Sequence, residues 1–207
     1  PHGVRDVLLG MVAAQDEPIA GGRHKVFGSR PLWVPPQTST VASHLPKAVG
    51  MAFALKRGNR LGVMQDLPAD AVVMCSFGDA SLNHSTAQGA MNAAAWIAYQ
   101  SVPLPLIFVC EDNGLGVSVP TPAGWVAATV KRWPAIQYVS CDGLDLLDTH
   151  RAARQAERLA RSARKPVFLH MGCVRLMGHA GADAQEGYLT PAEIDALLTQ
   201  IVGALMA

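Results

Sequence analysis

Two polar side chains stand at the ends of apolar runs, at a spacing that suits metal binding. Residues 72–77 form an apolar, β-rich run that leads through a glycine into Asp79, and residues 106–110 form a second run that leads into Asn113. The sequence between them is long enough for one helix and a return strand, so both side chains are expected at the carboxyl edge of one parallel sheet. Their oxygens, together with a backbone carbonyl at Leu115, suit a Mg²⁺ ion that holds a phosphate group.

Each of these side chains also has an ordinary structural explanation. An Asp at the end of a strand commonly caps the following helix, and Asn is a common turn residue. The pair is more specific than either residue alone, because the spacing brings both toward one crevice.

The rest of the pattern indicates alternating strands and helices. Residues 38–40 precede a helical pattern, and Thr190 with Glu193 forms a capping box in which Pro191 takes the first helical position. The predicted elements are strands over residues 71–77, 104–110, 136–141 and 166–172, helices over 4–15, 41–57, 81–100, 144–164 and 190–206, and an irregular stretch over 16–36. This alternation predicts an α/β fold, with a parallel sheet and helices on both faces.

Length and composition limit the class of protein. The chain has 207 residues, and we expect a single domain over residues 1–207. The net charge of +1 and the scattered basic residues give no reason to expect a nucleic-acid partner. Residues 102–110 form an apolar run too short to span a bilayer, so no membrane association is expected.

The cysteines and the first residue carry further expectations. The four cysteines show no metal-binding spacing and are expected to be buried thiols. The chain begins at Pro1 rather than at Met, without a recognisable secretory signal, and we expect a segment of a longer protein.

Four motifs, in the same order, resemble those of one enzyme family. Gly78-Asp79-Ala80 followed by Asp112-Asn113 resembles the thiamine-diphosphate motif, which opens GDG and closes NN. The accompanying motifs are Phe27-Gly28-Ser29 with Leu45-Pro46, Phe77-Gly78-Asp79-Ala80 with Asn83, Ile107 to Gly114 with Ser118-Val119-Pro120-Thr121, and Val174-Arg175-Leu176-Met177-Gly178-His179. Together they resemble the alpha subunit of the decarboxylating component of 2-oxoacid dehydrogenases, most of all the branched-chain type, along nearly the whole chain.

The resemblance implies a metal and diphosphate site. Asp79 and Asn113 would hold Mg²⁺ through their side chains and Leu115 through its carbonyl, and the metal would bridge the two phosphates of thiamine diphosphate. Gly78 and Ala80 would let backbone amides approach the diphosphate.

Residues outside these two motifs complete the implied site. Ser39 would lie against the cofactor, and Val41 would lie near its pyrimidine. His179 would be the catalytic residue, which orients the 2-oxoacid or assists acyl transfer. Arg175 is expected either to contact a phosphate or to brace the loop.

The sequence also departs from the family pattern. Ala80 replaces the third motif glycine, which is tolerable where φ is negative, and Asp112 replaces the first Asn of the closing pair. Leu115 replaces a usual Tyr, although the implied role is that of its backbone. Ala180 stands where mammalian relatives carry a regulatory Ser, and Phe27 stands where relatives often have a His. The family's Tyr-Arg pair for the diphosphate is absent, which again indicates a segment.

The resemblance implies an oxidoreductase that decarboxylates a 2-oxoacid and transfers the acyl group to lipoamide. This chain would supply the diphosphate half and would be active only with a beta-type subunit or domain that binds the pyrimidine. The assembly would be a heterotetramer that works with a lipoyl-bearing acyltransferase. The bacterial cytoplasm is favoured over the mitochondrial matrix as its location.

Three alternatives accompany this interpretation. An acetoin dehydrogenase alpha subunit, or one acting on pyruvate, would have the same fold and metal ligands. A degenerate, non-catalytic assembly subunit is supported by Ala80 and Asp112 but opposed by the intact Asp79, Asn113 and His179. A nucleotide-binding α/β protein is disfavoured, because neither a Walker loop nor GxGxxG follows a first strand.

Overall fold

A computed structural model describes residues 3–23, 26–64 and 66–206. Within it the chain divides into two compact units, residues 1–44 and residues 45–207. The single domain predicted over the whole chain stays a prediction.

The N-terminal unit contains a short helix and a β-hairpin. Helix α1 spans Gly3–Met11, and strands β1 (Val26–Ser29) and β2 (Val34–Thr38) pair antiparallel. The prediction of irregular chain over residues 16–36 was therefore wrong for the hairpin. The two prolines of β2 make the segment look unlike a strand in the sequence. Both strands of a two-stranded ribbon are edge strands, however, and proline is tolerated at an edge.

Strands and helices then alternate along the chain. The elements are α2 (His44–Leu61), β3 (Val73–Gly78), a 3-10 helix (Asp79–Asn83), α3 (Ser85–Tyr99), β4 (Leu106–Asp112), β5 (Leu115–Gly116), β6 (Val119–Pro120), α4 (Trp125–Val130), β7 (Gln137–Asp142), α5 (Leu146–Arg161), β8 (Val167–Gly172), a second 3-10 helix (Gln185–Gly187) and α6 (Pro191–Met206). The four predicted strands and the predicted helices are present, with ends shifted by a few residues. The sequence did not predict α4 or the β5–β6 hairpin.

The strands β3, β4, β8 and β7 form a parallel sheet in that order. The last strand in the sequence, β8, thus lies between β4 and β7. In the ladder, Gly78 pairs with Glu111, while Asp112 and Asp142 flank Gly172 from either side. The carboxyl ends of the strands therefore meet along one edge of the sheet.

The two faces of the sheet carry different side chains. One face is aliphatic and packs against the small buried residues of α5; the residues are Ile107, Val109, Val139, Val167, Leu169, Ala152, Ala156 and Ala160. The other face is aromatic: Phe77 packs edge-on against Phe108 and Phe168, and Tyr138 stacks on Phe168. The ammonium group of Lys131, just after α4, lies 4.8 Å from the centre of the Tyr138 ring. Helices thus cover both faces, as predicted.

Further predictions concern the last helix, the cysteines and the membrane. The capping box is formed, because Thr190 N donates to Glu193 Oε2 at 2.7 Å and Glu193 N donates to Thr190 Oγ1 at 3.3 Å. All four cysteines are free; two are buried and two partly buried. In the ranges that the structure describes, no helix is both long enough and apolar enough to cross a membrane.

Candidate functional site

Asp79 is a buried carboxylate at the carboxyl end of β3. Only 1% of its surface is exposed. Thr121 Oγ1 donates a hydrogen bond to Asp79 Oδ2, and within the described residues no basic side chain forms an ion pair with it. Burying a carboxylate is costly unless it is compensated by charge or hydrogen bonds. The environment of Asp79 therefore suits a bound cation.

The turn after β4 has a fixed shape. Asn113 Oδ1 accepts a hydrogen bond from Leu115 N at 2.9 Å, and Asp112 Oδ1 accepts one from Gly114 N at 3.0 Å. Gly114 has φ +73°, a conformation that favours glycine. Thr121 N donates to Gly114 O at 2.8 Å, which fastens the turn to the segment that also contacts Asp79.

The sheet brings the two strand ends together. The last pair of the β3–β4 ladder immediately precedes Asp79 on one strand and Asp112 on the other, so these residues stand side by side and Asn113 follows. Burial, followed by the charges of Asp112 and Asp79, raises the pKa of the Cys110 thiol on β4. The two motifs that the sequence singled out therefore share one edge of the sheet.

The donor set at this edge is one of hard oxygens. Nowhere in the described ranges do three or more His, Cys, Asp and Glu side chains gather as a metal-binding group. A metal here would therefore need the amide oxygen of Asn113 and the carbonyl of Leu115 in addition to Asp79. That combination of carboxylate, amide and carbonyl suits Mg²⁺ rather than a thiophilic metal.

The backbone at the two residues that flank Asp79 is compatible with their predicted diphosphate role. Gly78 is extended, with φ −81° and ψ 157°. Ala80 lies within the first 3-10 helix and is not among the residues with positive φ. Its methyl group in place of the motif glycine therefore causes no backbone strain.

A second hydrogen bond joins the same two segments as the contact between Thr121 and Asp79. Trp125 Nε1 donates to Asn83 Oδ1 at 2.6 Å, four residues further along both segments. Thr121 and Asn83 both lie within the sequence motifs, but the motifs do not identify their partners. These contacts fix the 3-10 helix that begins at Asp79.

The loop that contains His179 is organised by an aspartate and a tyrosine. Asp183 Oδ2 accepts hydrogen bonds from His179 N at 2.5 Å and from Tyr188 Oη at 2.7 Å, and these bonds lower the pKa of Asp183. A Cβ atom at Gly178 would overlap the carbonyl of Asp183, which requires glycine there. The imidazole of His179 is exposed to solvent at this edge of the loop. Neither Asp183 nor Tyr188 was predictable from the sequence as a partner within this loop.

Only some of the hydrogen-bond donors of Arg175 have a partner within this loop. Its Nη2 donates to Tyr188 Oη at 2.5 Å, so the loop-bracing role is observed. Its Nε and Nη1 atoms are buried and have no hydrogen-bond partner within the described part of the chain. The alternative role, contact with a phosphate, stays a prediction that these two donors favour.

Ser39 and Val41 belong to the N-terminal unit. Both are exposed and lie in the turns that precede α2. Their predicted contacts with the cofactor stay predictions.

Comparisons with known proteins identify the family. The family described as "Dehydrogenase E1 component" matches residues 2–201. The chain is 28% identical over 161 residues to the 2-oxoisovalerate dehydrogenase subunit alpha, mitochondrial, of Mus musculus, which covers 76% of this chain and 33% of the relative. It is 32% identical over 159 residues to the human pyruvate dehydrogenase E1 component subunit alpha, somatic form, mitochondrial, with 74% and 36% covered. The chain thus spans about a third of the length of these relatives.

A solved structure shares the fold. A transketolase variant from Pichia stipitis superimposes with a TM-score of 0.53 at 18% identity, over 82% of this chain and 28% of the transketolase. At that identity the likeness concerns the fold alone. Because the family match extends over almost the entire sequence, this chain belongs to the dehydrogenase E1 component family.

Proposed function

We propose that this chain is the diphosphate- and Mg²⁺-binding half of a thiamine-diphosphate-dependent 2-oxoacid dehydrogenase. The whole enzyme would decarboxylate a 2-oxoacid and transfer the acyl group to lipoamide. The observation that carries the proposal is the buried Asp79 beside the Asp112–Asn113 turn, at the carboxyl edge of a parallel sheet. Family membership supports it, as do the names of two relatives, which refer to 2-oxoisovalerate and pyruvate.

The residues at the sheet edge fit both groups. Asp79, Asn113 and Leu115 would hold Mg²⁺ through one carboxylate, one amide and one carbonyl oxygen. Backbone N–H groups near Gly78 and Ala80 would bind the diphosphate. When bound, thiamine diphosphate supplies a carbon nucleophile for the 2-oxo carbonyl and a ring that accepts the electrons left by carbon dioxide.

The loop after β8 would act on the substrate side. His179, held at its backbone by Asp183, would donate or accept a proton at the 2-oxoacid oxygen and orient that oxygen during acyl transfer. The two unpartnered donors of Arg175 would bind an anionic oxygen of the cofactor or substrate.

We further propose that activity requires a beta-type partner. The exposed fractions of Trp96 and Tyr99, both on α3, are 69% and 73%, and those of Leu146 and Leu147 at the start of α5 are 80% and 79%. Large apolar side chains this exposed favour a surface that a partner covers. The partner would bring the pyrimidine-binding part, and a lipoyl-bearing acyltransferase would accept the acyl group.

The proposal also includes the identity of the 2-oxoacid and the cellular compartment. The branched-chain substrate is favoured over pyruvate and acetoin because of the sequence motifs and the relative named for 2-oxoisovalerate. Both named relatives are mitochondrial, which gives no support to the preference for the cytoplasm.

The test is calorimetric titration of thiamine diphosphate, with and without Mg²⁺, into the full-length protein assembled with its partner. We expect binding that depends on Mg²⁺ and disappears in Asp79→Ala. Asp142→Asn is the matched control, because Asp142 ends β7 at the same sheet edge but two strands away from β4. Its cofactor affinity should equal that of the wild type.

Two results would contradict the proposal. Unchanged, Mg²⁺-dependent affinity in Asp79→Ala would remove that residue from the metal site. Absence of any cofactor binding in the complete assembly would favour the non-catalytic assembly subunit instead.

A further inference from the structure

Asp112 is the end of a hydrogen-bonded chain that crosses three strands. Tyr138 Oη on β7 lies 2.6 Å from His170 Nδ1 on β8, and His170 Nε2 lies 2.8 Å from Asp112 Oδ2 on β4. The second carboxylate oxygen of Asp112 accepts the N–H of Gly114 at 3.0 Å. These hydrogen bonds thus run across the sheet and end in the turn that contains Asn113.

The donors and acceptors in this chain are consistent from end to end. With its hydrogen on Nε2, the His170 imidazole donates to Asp112 Oδ2, and its Nδ1 accepts from the Tyr138 hydroxyl. Burial raises the pKa of Tyr138, which keeps the hydroxyl protonated as a donor.

The hydrogen-bonded row from Tyr138 through His170 to Asp112 is partly shielded from water. The side chains of His170 and Asp112 are 16% and 23% exposed. The Tyr138 ring stacks on Phe168, with the centroids 6.3 Å apart, and meets the His170 ring edge-on at 5.9 Å. Packing therefore limits the orientations of Tyr138 and His170. Because these hydrogen bonds are partly shielded, water competes less for their donors and acceptors.

We propose that His170 and Tyr138 are positioning residues for the metal site, and that they act through Asp112 to hold the turn of Asn113 and Leu115. The inference deepens the proposed function, on which it rests. His170 fixes one oxygen of Asp112, and this leaves the other oxygen aimed at the N–H of Gly114. Without His170 the carboxylate is free to turn toward solvent, and the turn loses the acceptor that sets its shape.

The test measures metal affinity directly. The full-length protein, assembled with its partner and supplied with saturating thiamine diphosphate, is titrated with Mn²⁺ as a paramagnetic substitute for Mg²⁺, and free Mn²⁺ is read by electron paramagnetic resonance. Loss of a residue that hydrogen-bonds a metal ligand typically weakens metal binding by about 10–100-fold. Because His170 contacts Asp112 rather than a ligand itself, we expect a loss of about 10-fold for His170→Leu, at the lower end of that range, and a smaller loss for Tyr138→Phe.

A conservative variant separates positioning from general stability. In His170→Gln, the side-chain amide keeps an N–H donor for Asp112 and also offers an acceptor oxygen, so this variant should restore Mn²⁺ affinity to within a few-fold of the wild type. Val139→Ala is the stability control, because Val139 neighbours Tyr138 in β7 but points into the aliphatic core on the opposite face. It should lower the melting temperature and leave Mn²⁺ affinity unchanged.

The outcomes distinguish this inference from the function on which it rests. Wild-type Mn²⁺ affinity in His170→Leu, or an equal loss in His170→Gln and His170→Leu, would overturn the positioning role. Absence of thiamine-diphosphate-dependent Mn²⁺ binding in the wild-type assembly would instead overturn the proposed function.

Discussion

A Cβ atom added to Gly116 would stand 2.7 Å from the Cβ atom of Ala80. The methyl group that replaces the motif glycine is thus accommodated by a glycine opposite it on β5. The departure at Ala80 and the glycine at position 116 form one packing unit beside Asp79.

We expect Gly116→Ala to destabilise the protein by about 1–3 kcal/mol, as overpacking does. The strain should displace the 3-10 helix that begins at Asp79 and weaken Mg²⁺-dependent cofactor binding. The measurement is urea denaturation together with calorimetry.

The double variant Ala80→Gly/Gly116→Ala removes the clash and should recover most of the lost stability. Gly89→Ala is the control, because a Cβ there meets no atom within 4 Å and Gly89 lies within α3. It should be neutral or stabilising. Equal stability of Gly116→Ala and the wild type would show that the contact is not constraining.

Thr121→Val tests the hydroxyl that bonds the buried Asp79. The variant keeps the shape of the side chain and leaves the carboxylate without that donor, so we expect a loss of about 1–3 kcal/mol in metal-free protein. Thr121→Ser keeps the hydroxyl and should be closer to the wild type. Chemical denaturation of the metal-free protein gives both values, and a valine variant as stable as the wild type would contradict the role of the hydroxyl.

Tyr188→Phe tests the brace of the His179 loop. The change removes the hydroxyl that bonds both Arg175 and Asp183, so hydrogen exchange across residues 174–190 should become faster. The turnover number should fall, because His179 is held less firmly. Tyr99→Phe, at an exposed position on α3, is the matched control for hydrogen exchange and should leave the exchange of residues 174–190 unchanged. Unchanged exchange in Tyr188→Phe would mean that the backbone alone holds the loop.

The same loop should loosen in acid. The Tyr188 hydroxyl, followed by the N–H of His179, lowers the folded-state pKa of Asp183, so its contribution to stability is present above about pH 4, the unfolded value. That contribution is lost as the pH falls from there through the lowered folded value. Hydrogen exchange, corrected for its intrinsic pH dependence, should show this loss in the wild type and not in Asp183→Asn.

The cysteine thiols should resist alkylation in the folded protein. Burial raises the pKa of Cys75 to about 12 and that of Cys173 to about 11, and it also raises the pKa of Cys110. Because the thiolate is the nucleophile, only about a thousandth of Cys173 is reactive at pH 8. Iodoacetamide labelling followed by mass spectrometry should show slow native labelling that speeds up toward pH 11. Fast labelling of Cys173 at pH 8 would contradict the shift.

Sequence reasoning succeeded where the signal was local. The runs before Asp79 and Asn113 are contiguous, apolar and closed by turn residues, so both strands and their shared edge were predictable. The helix at the C-terminus was predictable from its capping box. The β5–β6 hairpin was missed because strands of two residues have no periodicity to detect.

Other parts of the site depend on which strands become neighbours. The contact of His170 with Asp112 exists only because β8 lies beside β4, and nothing in the local sequence of either strand specifies that order. Tyr138 joins them for the same reason. The braces Asp183 and Tyr188 were also missed, since a polar side chain in an irregular loop gives no pattern that identifies its partner.

The order of the strands has a consequence for synthesis. Strands β4 and β7 are synthesised before β8, yet β8 lies between them in the sheet. The centre of the sheet therefore cannot form until residues 167–172 have been synthesised. Until then, the edges of β4 and β7 that will pair with β8 have no partner strand. Nascent chains that stop before this point should be prone to aggregation and depend on chaperones, and the edge that carries Asp79 and Asn113 should be completed late in folding.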